Sequence, residues 1–249
     1  MENSALLRRA SASSQIFVDN VENFEISEDD AHHLFSVLRL RDDEHVIVVD
    51  GSGHWQMTSV TGRALLSVGE IEFEPPHSPQ LTVGFAPLKG DRSEWAVAKL
   101  TELGIDRIIA LECDHASVRW EGGKGEKAMN RWKRIAIEAS SQSRRVRLPK
   151  IEGPVSLDSL EGDACVALAV PGGQPLSRSI HTVLIGPEGG WSERELRKDF
   201  LHVTLSSQIL RSETAAVSGG ALLGGVREGT VSSMESEISE ATQPNQVER

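Results

Sequence analysis

Two short segments in the last third of the chain carry the residue types best suited to chemistry. The first is Ile185-Gly186-Pro187-Glu188-Gly189-Gly190-Trp191-Ser192-Glu193-Arg194-Glu195, and the second is Ile209-Leu210-Arg211-Ser212-Glu213-Thr214-Ala215. Each follows an apolar run of strand type and leads into a predicted helix. Glycines let a ligand approach the backbone closely, and Pro187 restricts the turn. Taken alone, the first segment reads equally well as an ordinary strand-to-helix turn. It is not a dinucleotide fingerprint, because GxGxxG is absent, and Gly122-Gly123-Lys124-Gly125 lacks the GK[ST] of a phosphate loop. Arg211 stands at the predicted start of the last helix, where a cation opposes the macrodipole. Either an anionic partner or a salt bridge to Glu213 or Glu188 accounts for it.

A second concentration of chemistry is basic. Residues 126–150 hold eight Lys and Arg (Lys127, Arg131, Lys133, Arg134, Arg144, Arg145, Arg147 and Lys150) against two acids, in a chain of net charge −11. Such a run reads as a solvated face or as a contact to phosphates; the acidic surroundings sharpen the second reading. Arg39 and Arg41 form a smaller basic pair. His32 and His33 lie on a short predicted helix, and one of them is expected to pack in the core. Neither has the partners of a metal site. The two cysteines, Cys113 and Cys165, form no CxxC, which suits a reduced, cytoplasmic chain without structural zinc. No apolar run approaches the roughly 20 residues that cross a bilayer, so no membrane role is expected.

The elements that must position these residues fall into two textures. Residues 1–15 read as a flexible N-terminus. Residues 16–75 read as a small β-barrel-like domain: strands at 16–18, 45–49, 55–60 and 65–73, and one helix at about 28–38 capped by Ser27. Glu74-Pro75-Pro76-His77-Ser78-Pro79 is the candidate linker. From 80 to 230 strands and helices alternate, which predicts a parallel α/β sheet covered on both faces. Strands fall at 81–85, 105–111, 164–170, 182–185 and 201–205. A helix over 91–103 stops at Gly104, and a second, over 126–143, carries the stripe Met129, Trp132, Ala136 and Ala139. Ser192 and Glu195 form a capping box, and Ser212 caps the last helix. That helix contains Gly219, Gly220, Gly224 and Gly225, each costing about 1 kcal/mol relative to Ala. Either a closely approaching neighbour, such as a second subunit, or a fraying helix explains them. Residues 231–249 read as a disordered tail.

Five stretches in order resemble the RsmE family, the 16S ribosomal RNA (uracil-N3) methyltransferases of the SPOUT class. They are His32-His33-Leu34 with Val37-Leu38-Arg39-Leu40; Lys99-Leu100-Thr101-Glu102-Leu103-Gly104; Arg131-Trp132 with Glu138-Ala139 and Gln142-Ser143-Arg144-Arg145; Gly186 to Gly190; and Ile209 to Ala215. The resemblance spans about residues 16–227. It implies a PUA-like N-terminal RNA-binding domain and a knotted α/β methyltransferase domain with a deep trefoil knot, a topology that ordinary chain rules disfavour. It further implies a cytoplasmic homodimer, S-adenosyl-L-methionine as methyl donor, no metal, and 16S ribosomal RNA of the small ribosomal subunit as partner. Cofactor contacts are implied at Ala169, Val170, Gly186, Pro187, Glu188, Gly189, Gly190, Leu205, Ser206, Ile209, Leu210 and Thr214. RNA contacts are implied at Arg39, Arg41, Arg131, Arg134, Arg144 and Arg145. For the chemistry, Arg211 is expected to stabilise an anion, and Glu188 or Glu213 to accept a proton. Two departures stand out. Ser206 occupies a position where the family carries Gly, and His115-Ala116 replaces its Arg-Ser pair.

Overall fold

The computed structural model describes residues 2–120 and 123–231, with side chains from residue 5 onward. The chain divides into two compact units. The first runs to Ser78 and takes Lys133–Pro149 as well; the second takes Pro79–Trp132 and everything from Lys150. A linear reading of the sequence did not anticipate the return of residues 133–149 to the first unit.

The first unit contains α1 (Glu2–Ala10), β1 (Ser14–Phe17), α2 (Glu28–His32) running on into a π-helical turn (His33–Val37), β2 (His45–Val49), β3 (His54–Thr61), β4 (Ala64–Ser67) and β5 (Glu72–Phe73). β1 pairs in parallel with β2, which pairs antiparallel with β3; β4 and β5 both pair with β3. β2 is a continuous apolar run because both its faces are buried. Val46 and Val48 pack with Ile16, Leu34, Val60 and Leu65 on one side, while Ile47 and Val49 pack with Ala12, Trp55 and Val146 on the other. Full burial of each such side chain contributes about 1.5–3 kcal/mol.

Three expectations change here. The N-terminal residues are ordered as α1 and β1. Arg9 is only 4% exposed, pairs with Glu74 at 2.8 Å and lies 5.2 Å over the Trp55 ring, while Arg8 pairs with Glu72. Those tertiary anchors, invisible in a Ser/Ala/Arg-rich stretch, hold it. The run 65–73 breaks into two strands. His32 and His33 are both exposed, and it is Leu34 that enters the core. Ser27 caps α2 as expected, its hydroxyl accepting from the Asp30 amide.

The second unit continues with β6 (Thr82–Phe85), α3 (Arg92–Glu102), β7 (Arg107–Glu112), α4 (Lys124–Gln142, whose residues from Lys133 belong to the first unit), β8 (Lys150–Ser156), β9 (Val166–Gln174), β10 (Thr182–Ile185), α5 (Glu193–Leu196), β11 (Leu201–Val203) and α6 (Ser212–Glu228). Six strands lie in the order β11-β9-β10-β6-β7-β8, every neighbouring pair parallel. β8 is an element that the sequence reading passed over. β9 runs on past Val170 through Pro171 to Gln174, with a register shift where β11 joins it. The expected α4 stripe of Met129, Trp132, Ala136 and Ala139 is buried throughout.

Gly220 of α6 meets a close neighbour within the chain. α6 lies on α3, β6 and β10. A Cβ on Gly220 would sit 2.6 Å from Leu100 of α3, so only glycine allows that approach. The helix does not fray at them; it continues to Glu228. Its first turn also differs from expectation. Arg211, not Ser212, holds the N-cap position, and it supplies no capping side chain. The tail reading at 231–249 falls, from residue 232, outside the described residues. Among the described residues no helix is long and apolar enough to cross a membrane, and no group of His, Cys, Asp and Glu could hold a metal.

Candidate active site

β6 and β10 lie side by side in the sheet, with chain connections departing to opposite sides. Parallel sheets bind ligands at the carboxyl ends of strands beside such a switch in order. A cavity of about 530 Å³ occupies this place. It is walled by Ala169, Val170 and Pro171 from β9, by Ile185 through Glu188 with Gly190 and Trp191 after β10, by Thr204, Leu205, Ser206 and Gln208 after β11, and by Ile209 through Ser212 at the start of α6. Arg92, the first residue of α3, completes the wall. This volume suits a small organic ligand.

Local bonds hold the three loops against one another. The Ser212 hydroxyl donates to the Gly186 carbonyl at 3.0 Å, tying α6 to the turn after β10. The Trp191 indole N–H donates to the Ala169 carbonyl at 3.0 Å, tying that turn to β9. A Cβ on Gly186 would lie 3.1 Å from the Trp191 ring, so glycine lets the indole lie flat against the backbone. In the third loop the Thr204 hydroxyl donates to the Ser206 carbonyl, and the Ser206 hydroxyl accepts from the Gln208 amide, each at 3.0 Å. Ser206 therefore builds the turn that faces the cavity, and its side chain is spent on the backbone.

An outer network braces the same turn. The capping box of α5 is present, with Ser192 and Glu195 bonded reciprocally. Glu195, 1% exposed, also accepts from the Asp114 amide at 2.9 Å. Asp114 receives two bonds from Arg194, at 3.1 and 2.7 Å, and one from Ser192. The Arg194 guanidinium, and then the Ser192 hydroxyl, hold its carboxyl down to about 2. His115 lies on Gly189, and its ring Nδ1 is 3.2 Å from the Gly190 carbonyl. The departure at His115 thus packs on the cavity loop. Beside it, burial pushes the Cys113 thiol up to about 12, so Cys113 serves as a packing residue.

Ten of the twelve implied cofactor contacts line one cavity: Ala169, Val170, Gly186, Pro187, Glu188, Gly190, Leu205, Ser206, Ile209 and Leu210. Gly189 and Thr214 are not in its wall. Arg211 and Glu188 both are, while Glu213 is not. The salt bridge considered between Arg211 and a nearby glutamate does not form. Glu188 and Glu213 pair instead with Arg92, at 2.9 and 3.6 Å, and Arg211 is exposed without an ion pair among the described residues. Arg92 and Trp191 were missed by sequence reasoning. Arg92 sits in an ordinary amphipathic helix, and nothing local marks it.

A model of the RNA methyltransferase domain matches residues 75–223, and one of the RNA methyltransferase PUA domain matches residues 26–61. The ribosomal RNA small subunit methyltransferase E of Mycobacterium bovis is 30% identical over 211 residues, covering 76% of this chain and 80% of that protein. The chain belongs to the ribosomal RNA small subunit methyltransferase E family. The Bacillus subtilis member is 28% identical over 229 residues, covering 80% of this chain and 88% of its own. A methyltransferase structure from Legionella pneumophila, in complex with the bound cofactor SAM, superposes with a TM-score of 0.70 at 25% identity, covering 84% of this chain and 96% of that one. The cavity lies within the stretch matched by the methyltransferase model, and the π-helical turn within the stretch matched by the PUA model.

The arginines implied for RNA differ in availability. Arg39, Arg41 and Arg134 are exposed, and Arg39 adopts φ of 55° just beyond the π-helical turn. Arg131 bonds Glu94 at 2.7 Å. Arg144 is partly buried; its guanidinium donates to the carbonyls of Ala12 and Ser141, and burial lowers its pKa. Arg145 is half-buried. In this methyltransferase Arg144 braces the first unit, and the open cations are Arg39, Arg41 and Arg134.

Proposed function

We propose that this chain transfers a methyl group from S-adenosyl-L-methionine to N3 of a uridine in 16S ribosomal RNA, and that the cavity at the carboxyl ends of β9, β10 and β11 holds the donor. The observation that carries the reading is the convergence of three separate loops, with ten expected contacts, on one cavity of about 530 Å³ in a chain of this family. When bound, the sulfonium supplies an activated methyl group. The protein has to align it with the acceptor and manage one proton. Gly186, Gly190 and Leu205 present backbone to the donor, and Trp191 closes the cavity wall beside β9. Arg211, unpaired at the cavity edge, stabilises negative charge on the pyrimidine. N3 lies on the pairing edge of the base, so the target uridine enters unpaired or extruded.

The finer architecture belongs to the same proposal: a trefoil knot formed by the loops around the cavity, closure of the first unit's sheet as a PUA-like barrel, the two units as the RNA-binding and methyltransferase domains, a homodimer, and action in the cytoplasm on the small ribosomal subunit. The exposed arginines 39, 41 and 134 serve RNA.

Calorimetry with S-adenosyl-L-methionine tests the site. Saturable one-to-one binding that is lost when Gly186 is replaced by Val supports the reading; no measurable binding to the wild-type chain overturns it. Arg211→Ala should bind the donor normally and methylate RNA about 100-fold more slowly, the scale on which one anion-stabilising group acts.

A further inference from the structure

Arg92 joins three elements at the cavity. It is the first residue of α3, its Nη2 lies 2.9 Å from Glu188 in the turn after β10, and its Nη1 lies 3.6 Å from Glu213 in the first turn of α6. Its Nε donates to the Lys89 carbonyl at 3.0 Å. The guanidinium is thereby fixed in orientation. It carries five N–H donors, so two remain beyond these three directions. Glu213 is half-buried, and its shielded Oε2 accepts no hydrogen bond even though Arg92 is near. The arrangement holds the guanidinium at the cavity wall.

These contacts also bear on the proton at N3. Glu188 is the carboxylate in the cavity wall, and it is bonded to Arg92. The N3 proton of uracil is far less acidic than a carboxylic acid. The cations that the cavity wall sets against that charge are Arg92, which Glu188 and Glu213 hold, and Arg211, which has no ion pair among the described residues.

We propose, resting on the methyl-transfer reading above, that Arg92 is a second catalytic cation, which takes the charge that develops on a uracil carbonyl oxygen, with Glu188 and Glu213 as its positioning residues. The N3–H bond breaks, its electron pair stays on the ring, and the proton passes to water. The N3 lone pair then forms the N–CH₃ bond as the S–CH₃ bond breaks, its pair remaining on sulfur. A sulfonium and a pyrimidine anion give a neutral thioether and a neutral methylated base. The charged groups facing this place are Glu188, Glu213 and Arg211, with Lys89, Asp91 and Glu94 on or beside α3; Glu94 is taken up by Arg131.

The test is the pH dependence of kcat on 16S ribosomal RNA at saturating S-adenosyl-L-methionine, for the wild type, Arg92→Gln, Arg92→Lys and Glu213→Gln, with donor affinity measured separately by calorimetry. If the bound uridine must ionise, kcat rises with pH, and removing a cation moves that rise upward. Arg92→Gln should lose about 100-fold near neutrality, and the loss should shrink towards pH 10, while donor affinity stays within about threefold. Arg92→Lys should recover part of the rate, and Glu213→Gln, which only loosens the placement of Arg92, should lose less than Arg92→Gln near neutrality. A loss of equal size at every pH, or one residing in donor affinity, overturns the role of Arg92 while leaving the methyl-transfer reading intact. A wild-type chain that neither binds the donor nor methylates RNA overturns both.

Discussion

At the scale of single residues, the site depends on contacts between small side chains and backbone. Ser212 spends its hydroxyl on the Gly186 carbonyl and not on capping its own helix. Ser212→Ala should cost about 1 kcal/mol of stability, as for one hydrogen bond, and should weaken donor binding more than a surface serine would; denaturant melts and calorimetry check both. Gly186 faces the Trp191 ring at a separation where an added methyl group would be tight. Gly186→Ala should displace the indole and raise the donor Kd about tenfold, equivalent to about 1.4 kcal/mol. Asp114 predicts a pH effect. Its carboxyl is held down to about 2, chiefly by Arg194, against an ordinary 3.8. A depressed carboxyl adds stability above its unfolded value and loses it as pH falls through the folded one. The gap in Tm between the wild type and Asp114→Asn should therefore be full at pH 6, narrow below about pH 4 and close near pH 2.

At the scale of elements, what was legible followed pattern, and what was not depended on partners distant in sequence. The β2 run and the α4 stripe could be read because burial on two faces or on one leaves a period in the sequence. The α5 cap could be read because Ser192 and Glu195 are local. α1 could not: its order comes from Arg9 meeting Glu74 and Trp55, far along the chain. β8 begins in a basic stretch and contains Gly153 and Pro154, which masked its strand character. The glycines of α6 raised the question of what comes so close, and at Gly220 a neighbour is α3 of the same chain. Gly220→Leu should accordingly destabilise the protein by about 1–3 kcal/mol through overpacking, read as a lower midpoint in urea without a change in slope.

At the scale of the whole molecule, the loops that wall the cavity were legible because a cavity built from backbone needs glycine at fixed places. Arg92 was not, since its role exists only once α3, the β10 turn and α6 meet. The proposal that different residues serve RNA and donor allows one more prediction. If the chain acts as a homodimer that shares work between subunits, a Gly186→Val chain mixed with an Arg39→Glu/Arg41→Glu chain should regain measurable methylation, whereas each alone has none. The most direct measurement of the central claim is mass mapping of nucleosides in 16S ribosomal RNA from cells with and without this chain. The account predicts one N3-methyluridine that disappears on deletion and returns with the wild type but not with Gly186→Val. An unchanged N3-methyluridine level in the deletion strain would contradict it.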